Sequence, residues 1–407
     1  MDGKQRLALA ALSTVPFAMV LGNSMLIPIL PQMQRSLDLT SLQTSLVITL
    51  FSVPAGLTIP FSGFLSDCLG RKKVIIPALL LYGIGGLVAG AAALMEWGGA
   101  FAIILVGRIL QGIGAAGTAP IAMALTGDMF QGPVRSKALG VIEAANGGGK
   151  VLSPILGSAL GLLSWFAPFF VFPVINAFSA GAIWLGVKEP EGLRTRRGIR
   201  EYLRSFAQVF SKKTALLLTS FFAGSLALLT LFGLLFFLSD HLEQRYRLDG
   251  ILKGLALAVP VLFMAATAYG TGAVIKRRAL LMKILIVSGM GVTAGALALF
   301  PCCRTTFFFF TAVSAIGIGT GLVLPCLNTI ITSASDADER GLVTALYGGV
   351  RFLGVAAGPP LFSLLLGFSL EAMSWVTASA SAIAAVLAFA FIRVRDISAQ
   401  SSPQSRR

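Results

Sequence analysis

Polar and apolar positions in this chain are sorted on the scale of whole helices. Apolar runs of at least 18 residues recur twelve times, at about 7–30, 42–65, 74–95, 100–125, 137–161, 166–187, 214–239, 251–275, 280–300, 307–333, 342–366 and 369–392. At 1.5 Å per residue each is long enough to cross the roughly 30 Å hydrocarbon of a bilayer as a helix. The pattern therefore predicts an all-α polytopic membrane protein with twelve transmembrane helices. One run departs from it, because 137–161 contains Glu143, Asn146 and Lys150 followed by Ser153, Pro154 and Gly157. At about 100° per residue these six share one helical stripe, with Gly140 and Gly147 beside it. A charge near the bilayer centre costs about 2.5–3.5 kcal/mol even on a lenient insertion scale, so the stripe is expected to face protein or a water-filled cavity.

Composition agrees with the span pattern. The 407 residues are 56% hydrophobic and 12% charged, and the mean hydropathy is +0.85. No soluble globular composition approaches this. The net charge of +15 does not imply nucleic acid, because most of the 32 Lys and Arg fall in alternate inter-span segments and the two tails. That asymmetry places both termini in the cytoplasm of a multi-pass plasma-membrane protein. Three cations, Arg108, Lys150 and Arg351, lie well inside spans. Lys4 and Arg6 ahead of the first run resemble a signal peptide, but the run is too long and lacks a cleavage site, so it is expected to be the first span. Cys68, Cys302, Cys303 and Cys326 show neither metal spacing nor a disulfide framework and are expected to be packing residues.

The chain repeats itself. A shift of 205 residues superposes Gly112-Ile113-Gly114 on Gly317-Ile318-Gly319, Pro120 on Pro325, Arg135 on Arg340, Gly149 on Gly354 and Pro154 on Pro359. Six spans per copy give both copies the same membrane orientation, a parallel repeat with substrate expected between the halves near the midplane. The expected organisation is an N-terminal bundle over 1–187, a basic linker over 188–213, a C-terminal bundle over 214–392 and a tail over 393–407. Ile199, Tyr202, Leu203, Phe206, Val209 and Phe210 give the linker an apolar face suited to a short helix on the membrane surface. The outer loop over 240–249 holds the single histidine, His241, expected to be solvated.

Several short motifs follow in order. Leu21-Gly22, Asn23 and Ser24 precede Pro28-Ile29-Leu30-Pro31. The turn after the second span reads Gly63-Phe64-Leu65-Ser66-Asp67-Cys68-Leu69-Gly70-Arg71-Lys72-Lys73, where glycine permits the reversal and Asp67 can pair with Arg71. From here the chain resembles the major facilitator superfamily, and within it the twelve-span drug:proton antiporters. Leu105, Arg108, Gln111, Gly112, Gly114 and Ala116 are similar to that family's fourth-helix motif. Gly149, Pro154 and Gly157 resemble its fifth-helix antiporter motif, and Gly354, Gly358, Pro359 and Leu361 the eleventh-helix counterpart. The resemblance implies two six-helix bundles and an inner gate made by Gly63, Asp67, Gly70, Arg71, Lys72, Asp128 and Arg135. It also extends to the bacterial group that contains the bacillibactin exporter. Three positions depart from the family pattern: Ser153 precedes Pro154 where glycine is usual, Ser158 follows Gly157 where paired glycines are usual, and Asn23 stands where exporters of lipophilic cations carry an acid. The second-half counterpart of the turn, Gly270 to Arg278, keeps its cations but has no acid.

These residues suggest a division of labour. Glu143, the one carboxylate well inside a predicted span, is the expected proton carrier. Asn23, Arg108, Gln111, Asn146, Lys150, Asn328, Tyr347 and Arg351 are the expected substrate-cavity residues. Two or three cations with one acid suit an acidic or neutral aromatic solute better than a quaternary amine. The expected function is proton-coupled efflux of small amphipathic molecules by a monomer in the lipid bilayer of a bacterium, with no cofactor, no metal and no nucleic acid. A lipid flippase of the same fold and a non-transporting sensor are the alternatives. Gly112 to Gly117 formally fits a dinucleotide fingerprint and Gly149-Lys150 a fragment of a phosphate loop, but both lie in spans and lack the required context. An enzyme is disfavoured for want of a metal cluster or nucleophile–base pair in the spans.

Overall fold

The computed structural model describes residues 1–95, 98–190, 199–275, 278–303, 305–333 and 340–394, with backbone alone for 133, 199–213 and 340. The described residues are helical almost throughout: α1 (Gly3–Ser24), α2 (Leu30–Ser36), α3 (Ser41–Leu69), α4 (Arg71–Leu94), α5 (Ala100–Ala116), α6 (Ala119–Met129), α7 (Gly132–Gly161), α8 (Ala167–Gly186), α9 (Ile199–Tyr246), α10 (Gly250–Ile275), α11 (Ala279–Leu299), α12 (Thr306–Ser333), α13 (Arg340–Leu366) and α14 (Leu370–Phe391). Eleven spans among the described residues are long and apolar enough to cross a membrane. The twelfth, α7, falls short because it carries Glu143, Asn146, Lys150 and a run of glycines. Large apolar side chains such as Phe178, Trp184 and Phe389 are exposed, as a lipid-facing surface requires.

Local chemistry explains the helix ends. Asp2 and Gln5 form a reciprocal capping box at the start of α1, and Thr40 and Gln43 do the same for α3. Pro28 and Pro31 do not end the first span. A 3-10 turn at Ile27–Ile29 absorbs them, and the span continues to Ser36. The span predicted over 100–125 is one candidate crossing, Ala100–Met129, built of two helices because Pro120 at the start of α6 favours a break at Gly117 and Thr118. The loop predicted over 240–249 is largely the end of α9, which runs to Tyr246, and His241 stacks on Phe237 with ring centroids 5.1 Å apart. The linker's apolar residues Ile199 to Phe210 fall at the start of that same continuous helix, and their side chains lie outside the described residues. So do Lys276 and Arg277 of the second turn motif and all of the tail beyond 394.

The backbone forms two compact units, one comprising Met1–Arg197 with Leu235–Ala258 and the other Gly198–Leu234 with Val259–Arg407. In the first unit α1 packs on α6, α7 and α8, while α4 packs on α5 and α8, and α3 on α5. Its core includes Leu12, Val15, Ile75, Leu125, Ile142 and Ile183. The helices approach closely at glycines: a Cβ at Gly112 would lie 2.1 Å from the Phe51 carbonyl oxygen, and one at Gly157 only 1.9 Å from that of Met25. In the second unit α11 packs on α12 and α14. There a Cβ at Gly317 would meet the Pro260 carbonyl at 2.2 Å, and one at Gly354 that of Ser225 at 2.2 Å. Gly317 is the repeat partner of Gly112, so the internal repeat is visible in this pair of close backbone contacts.

Candidate functional site

The polar stripe of α7 divides along its length. Ser153, Pro154 and Gly157 are buried, with the Ser153 hydroxyl donating to the Leu21 carbonyl at 3.3 Å and Gly157 seated on Met25, the residue after α1. Gly149 lies against Phe17. These residues join helices and line no open wall. Asn146 and Lys150 are half-buried, and Glu143 is exposed. Glu143 and Lys150 are seven positions apart on α7, about 10 Å of helix rise, and share one face.

The second unit holds a compact group on α12 and α13. The half-buried Arg351 guanidinium donates from Nη1 to Asn328 Oδ1 at 3.2 Å and lies over the Tyr347 ring, 5.3 Å from its centroid. Tyr347 is buried, with its ring tilted against Phe221 at 5.7 Å. The Arg351 Nε and the Tyr347 hydroxyl are buried without a hydrogen-bond partner among the described residues. The sequence places Asn328, Tyr347 and Arg351 on two separate spans, and the structure brings them together.

Arg108 and Gln111 occupy the interior of the first unit, away from any cavity wall. Both are 0% exposed. Arg108 donates to the Val47 carbonyl at 2.8 Å, the Gly22 carbonyl at 3.1 Å and Gln111 Oε1 at 2.7 Å, and its guanidinium stacks on Phe51 at 4.4 Å. These bonds tie α5 to α1 and α3. Asn23, half-buried on α1, accepts from the Ser52 hydroxyl of α3 at 3.5 Å.

The turn between α3 and α4 carries the predicted charge cluster. Arg71 pairs with Asp67 at 3.2 Å and, through Nε, with Asp128 at 2.5 Å, joining the turn to the end of α6. Arg135 is exposed, with its guanidinium beside Gly127, and Gly63 is half-buried on α3. Sequence reasoning missed Glu189. Its carboxylate accepts from the backbone N–H of Arg71 at 2.5 Å and of Lys72 at 3.3 Å, capping α4 from 118 residues away. Lys72 Nζ donates to the carbonyls of Trp184 and Val187, both at 2.7 Å. Gly70 has φ +109°, and a Cβ there would lie 3.0 Å from Glu189. Gly70→Ala is therefore expected to lower stability by about 1–3 kcal/mol, read as a drop in the unfolding midpoint of the purified protein.

Long membrane-crossing helices in two parallel repeats, with ionisable groups gathered on a few inner faces, define a polytopic membrane transporter of small molecules. The description of the Major Facilitator Superfamily matches residues 12–359 and again 283–407, and the chain belongs to that superfamily. It is 39% identical over 399 residues to the bacillibactin exporter of Bacillus subtilis (strain 168), covering 97% of this chain and 98% of that one. It is 26% identical over 379 residues to the class C tetracycline resistance protein of Escherichia coli, at 88% and 90% coverage. Its fold matches a bacterial homologue of the human lysosomal transporter Spinster, solved inward-facing and unoccupied, with a TM-score of 0.76 at 18% identity, covering 99% of this chain and 100% of that one. These relatives are transporters and not enzymes.

Proposed function

We propose that this protein exports small amphipathic organic acids, of the siderophore or drug-like kind, across the bacterial plasma membrane in exchange for protons. The observation that carries the reading is α7, where an exposed carboxylate, Glu143, shares a face with Lys150 inside a helix as long as a span. The 39% identity with an exporter over nearly the whole chain supports the direction of transport. Glu143 is the proton carrier. One proton descending 100 mV releases about 2.3 kcal/mol, enough for a roughly fifty-fold substrate gradient, so a single carboxylate suffices.

Lys150 and Arg351 favour anionic substrates. Arg351 spends one donor on Asn328 and is only half-buried, so the guanidinium keeps further N–H donors for the oxygens of a carboxylate or catecholate. The excess of Lys and Arg on alternate segments supports cytoplasmic termini, with the cluster around Arg71 as the inner gate. The chain acts as a monomer.

The test uses proteoliposomes holding a pH gradient, challenged with catechol-type anions and then with lipophilic cations. Anions are expected to dissipate the gradient, and Arg351→Met is expected to raise their KM by about ten- to a hundredfold, the worth of a charged hydrogen bond. A response to cations alone overturns the substrate assignment. Silence from both overturns antiport and favours lipid translocation, which the same vesicles report with labelled lipid.

A further inference from the structure

Leu235–Ala258, the last turns of α9 and the first of α10, form a hairpin packed within the first unit. It holds a buried titratable group that the transport reading leaves unused. Lys253 is 1% exposed; its Nζ donates to the Pro28 carbonyl at 2.7 Å and to Glu243 Oε2 at 2.7 Å. Glu243 Oε1 pairs with Arg35 of α2. Around this centre Ser239 donates to the Ile27 carbonyl at 2.8 Å, Ser158 of α7 to the Gly250 carbonyl, and Gln32 to Asp249 at 3.4 Å. A Cβ at Gly254 would lie 2.8 Å from the Pro154 carbonyl, so the backbones nearly touch.

A buried ion pair gives little stability that a packed apolar pair would not, because desolvating both charges offsets their attraction. Both partners belong to the hairpin, so what undocking separates is the charged cluster's outward bonds, from Lys253 to the Pro28 carbonyl and from Arg35 to Glu243. That cluster is favourable in two states only, fully docked or fully hydrated. Half-separated and dry, it is strongly unfavourable. Most contacts around it are polar, hydroxyls and an amine on backbone carbonyls together with the Arg35 guanidinium on Glu243 and the Gln32 amide on Asp249, and such groups rehydrate when they separate. An interlocked apolar surface would not. Membrane transporters of this architecture must open each face in turn, and α9 and α10 both continue beyond the hairpin into the second unit.

We propose that the Lys253–Glu243 pair is a charge lock for this hairpin, gripping the Pro28 carbonyl and Arg35 while the hairpin is docked on α7, α2 and the 3-10 turn before it, and releasing both once in each transport cycle. Lys253 is a positioning residue that sets how long the hairpin stays docked. It touches neither proton nor substrate.

The test places a reporter under the hairpin, Ser158→Cys, in a background lacking the four native cysteines, and measures the rate of maleimide labelling of the purified full-length protein. Lys253→Met is expected to raise that rate about tenfold, and Glu243→Gln by a similar factor. The double variant is expected to be clearly less than additive, since each residue also holds the other in place within one charged cluster. Lys253→Arg, which keeps the charge and its donors, is expected to stay within about twofold of the parent. A second reporter, Ser62→Cys, sits in the packing of α3 against α5, where the native hydroxyl donates to the Ala116 carbonyl at 2.7 Å, and is expected not to change. An unchanged rate at position 158 in Lys253→Met overturns the proposal. So does an equal rise at both reporters, which makes Lys253 a plain fold determinant, or full additivity of the two single variants.

Discussion

In inverted vesicles holding a pH gradient, the Glu143→Gln protein is expected to leave the gradient intact when substrate is added, with uphill efflux falling by at least about a hundredfold. The amide has nearly the size and polarity of the protonated acid, so substrate binding and downhill exchange are expected to persist. What it cannot do is release a proton on one side and regain it on the other. Glu143 is exposed on α7 and takes part in no helix packing that the substitution would disturb, so the expected unfolding midpoint is unchanged. A loss of coupling with exchange retained separates this role from simple inactivation, and gradient-driven efflux at the parent rate moves the proton site elsewhere. In energetic terms, losing the single proton forfeits the whole of the roughly 2.3 kcal/mol per 100 mV that it carried.

Arg108→Met is expected to show the opposite profile, a large loss of stability, because its side chain serves the fold of the first unit. The guanidinium is fully enclosed and bonds two backbone carbonyls and a side-chain amide on three helices. Removing it strands the Val47 and Gly22 carbonyls and Gln111 Oε1 where water cannot reach them. The expected cost is about 3–5 kcal/mol, read as a fall in the thermal midpoint of the purified protein. Arg108→Lys is expected to recover only part of that loss, since one ammonium cannot reach acceptors lying in three directions. A midpoint unchanged in Arg108→Met assigns the residue to transport chemistry instead.

Much of the architecture was legible in the sequence because it depends on local pattern. Apolar runs place the spans, and a constant offset finds the repeat whose partners Gly112 and Gly317 make equivalent backbone contacts. The α7 stripe was legible as a stripe, but not its division into a packed half at Ser153 to Gly157 and a polar half at Glu143 to Lys150. Periodicity gives the face of a residue and says nothing of how near the next helix comes. Arg108 could be read two ways for the same reason: a cation in a span reads alike whether it lines a cavity or braces helices by bonding their carbonyls. Glu189 and Lys253 escaped notice because their partners are distant in sequence. Glu189 meets Arg71 across 118 residues and Lys253 meets Pro28 across 225. No local window contains either pair. Lys253 also stands only three residues into α10, where it passes for the edge of a loop.

The discontinuity of the first unit has a consequence for biosynthesis. The ribosome finishes Arg197 and must add about 60 more residues before Ala258 exists, roughly 3–12 s of elongation. During that interval the first six spans are already made, while the Ile27 and Pro28 carbonyls await donors from Ser239 and Lys253. The newborn first half is thus an unfinished body at its far end, completed by a hairpin that the second half delivers. Expressed as two separate polypeptides, the halves are expected to protect one another from degradation, and a first half made alone is expected to be the shorter-lived.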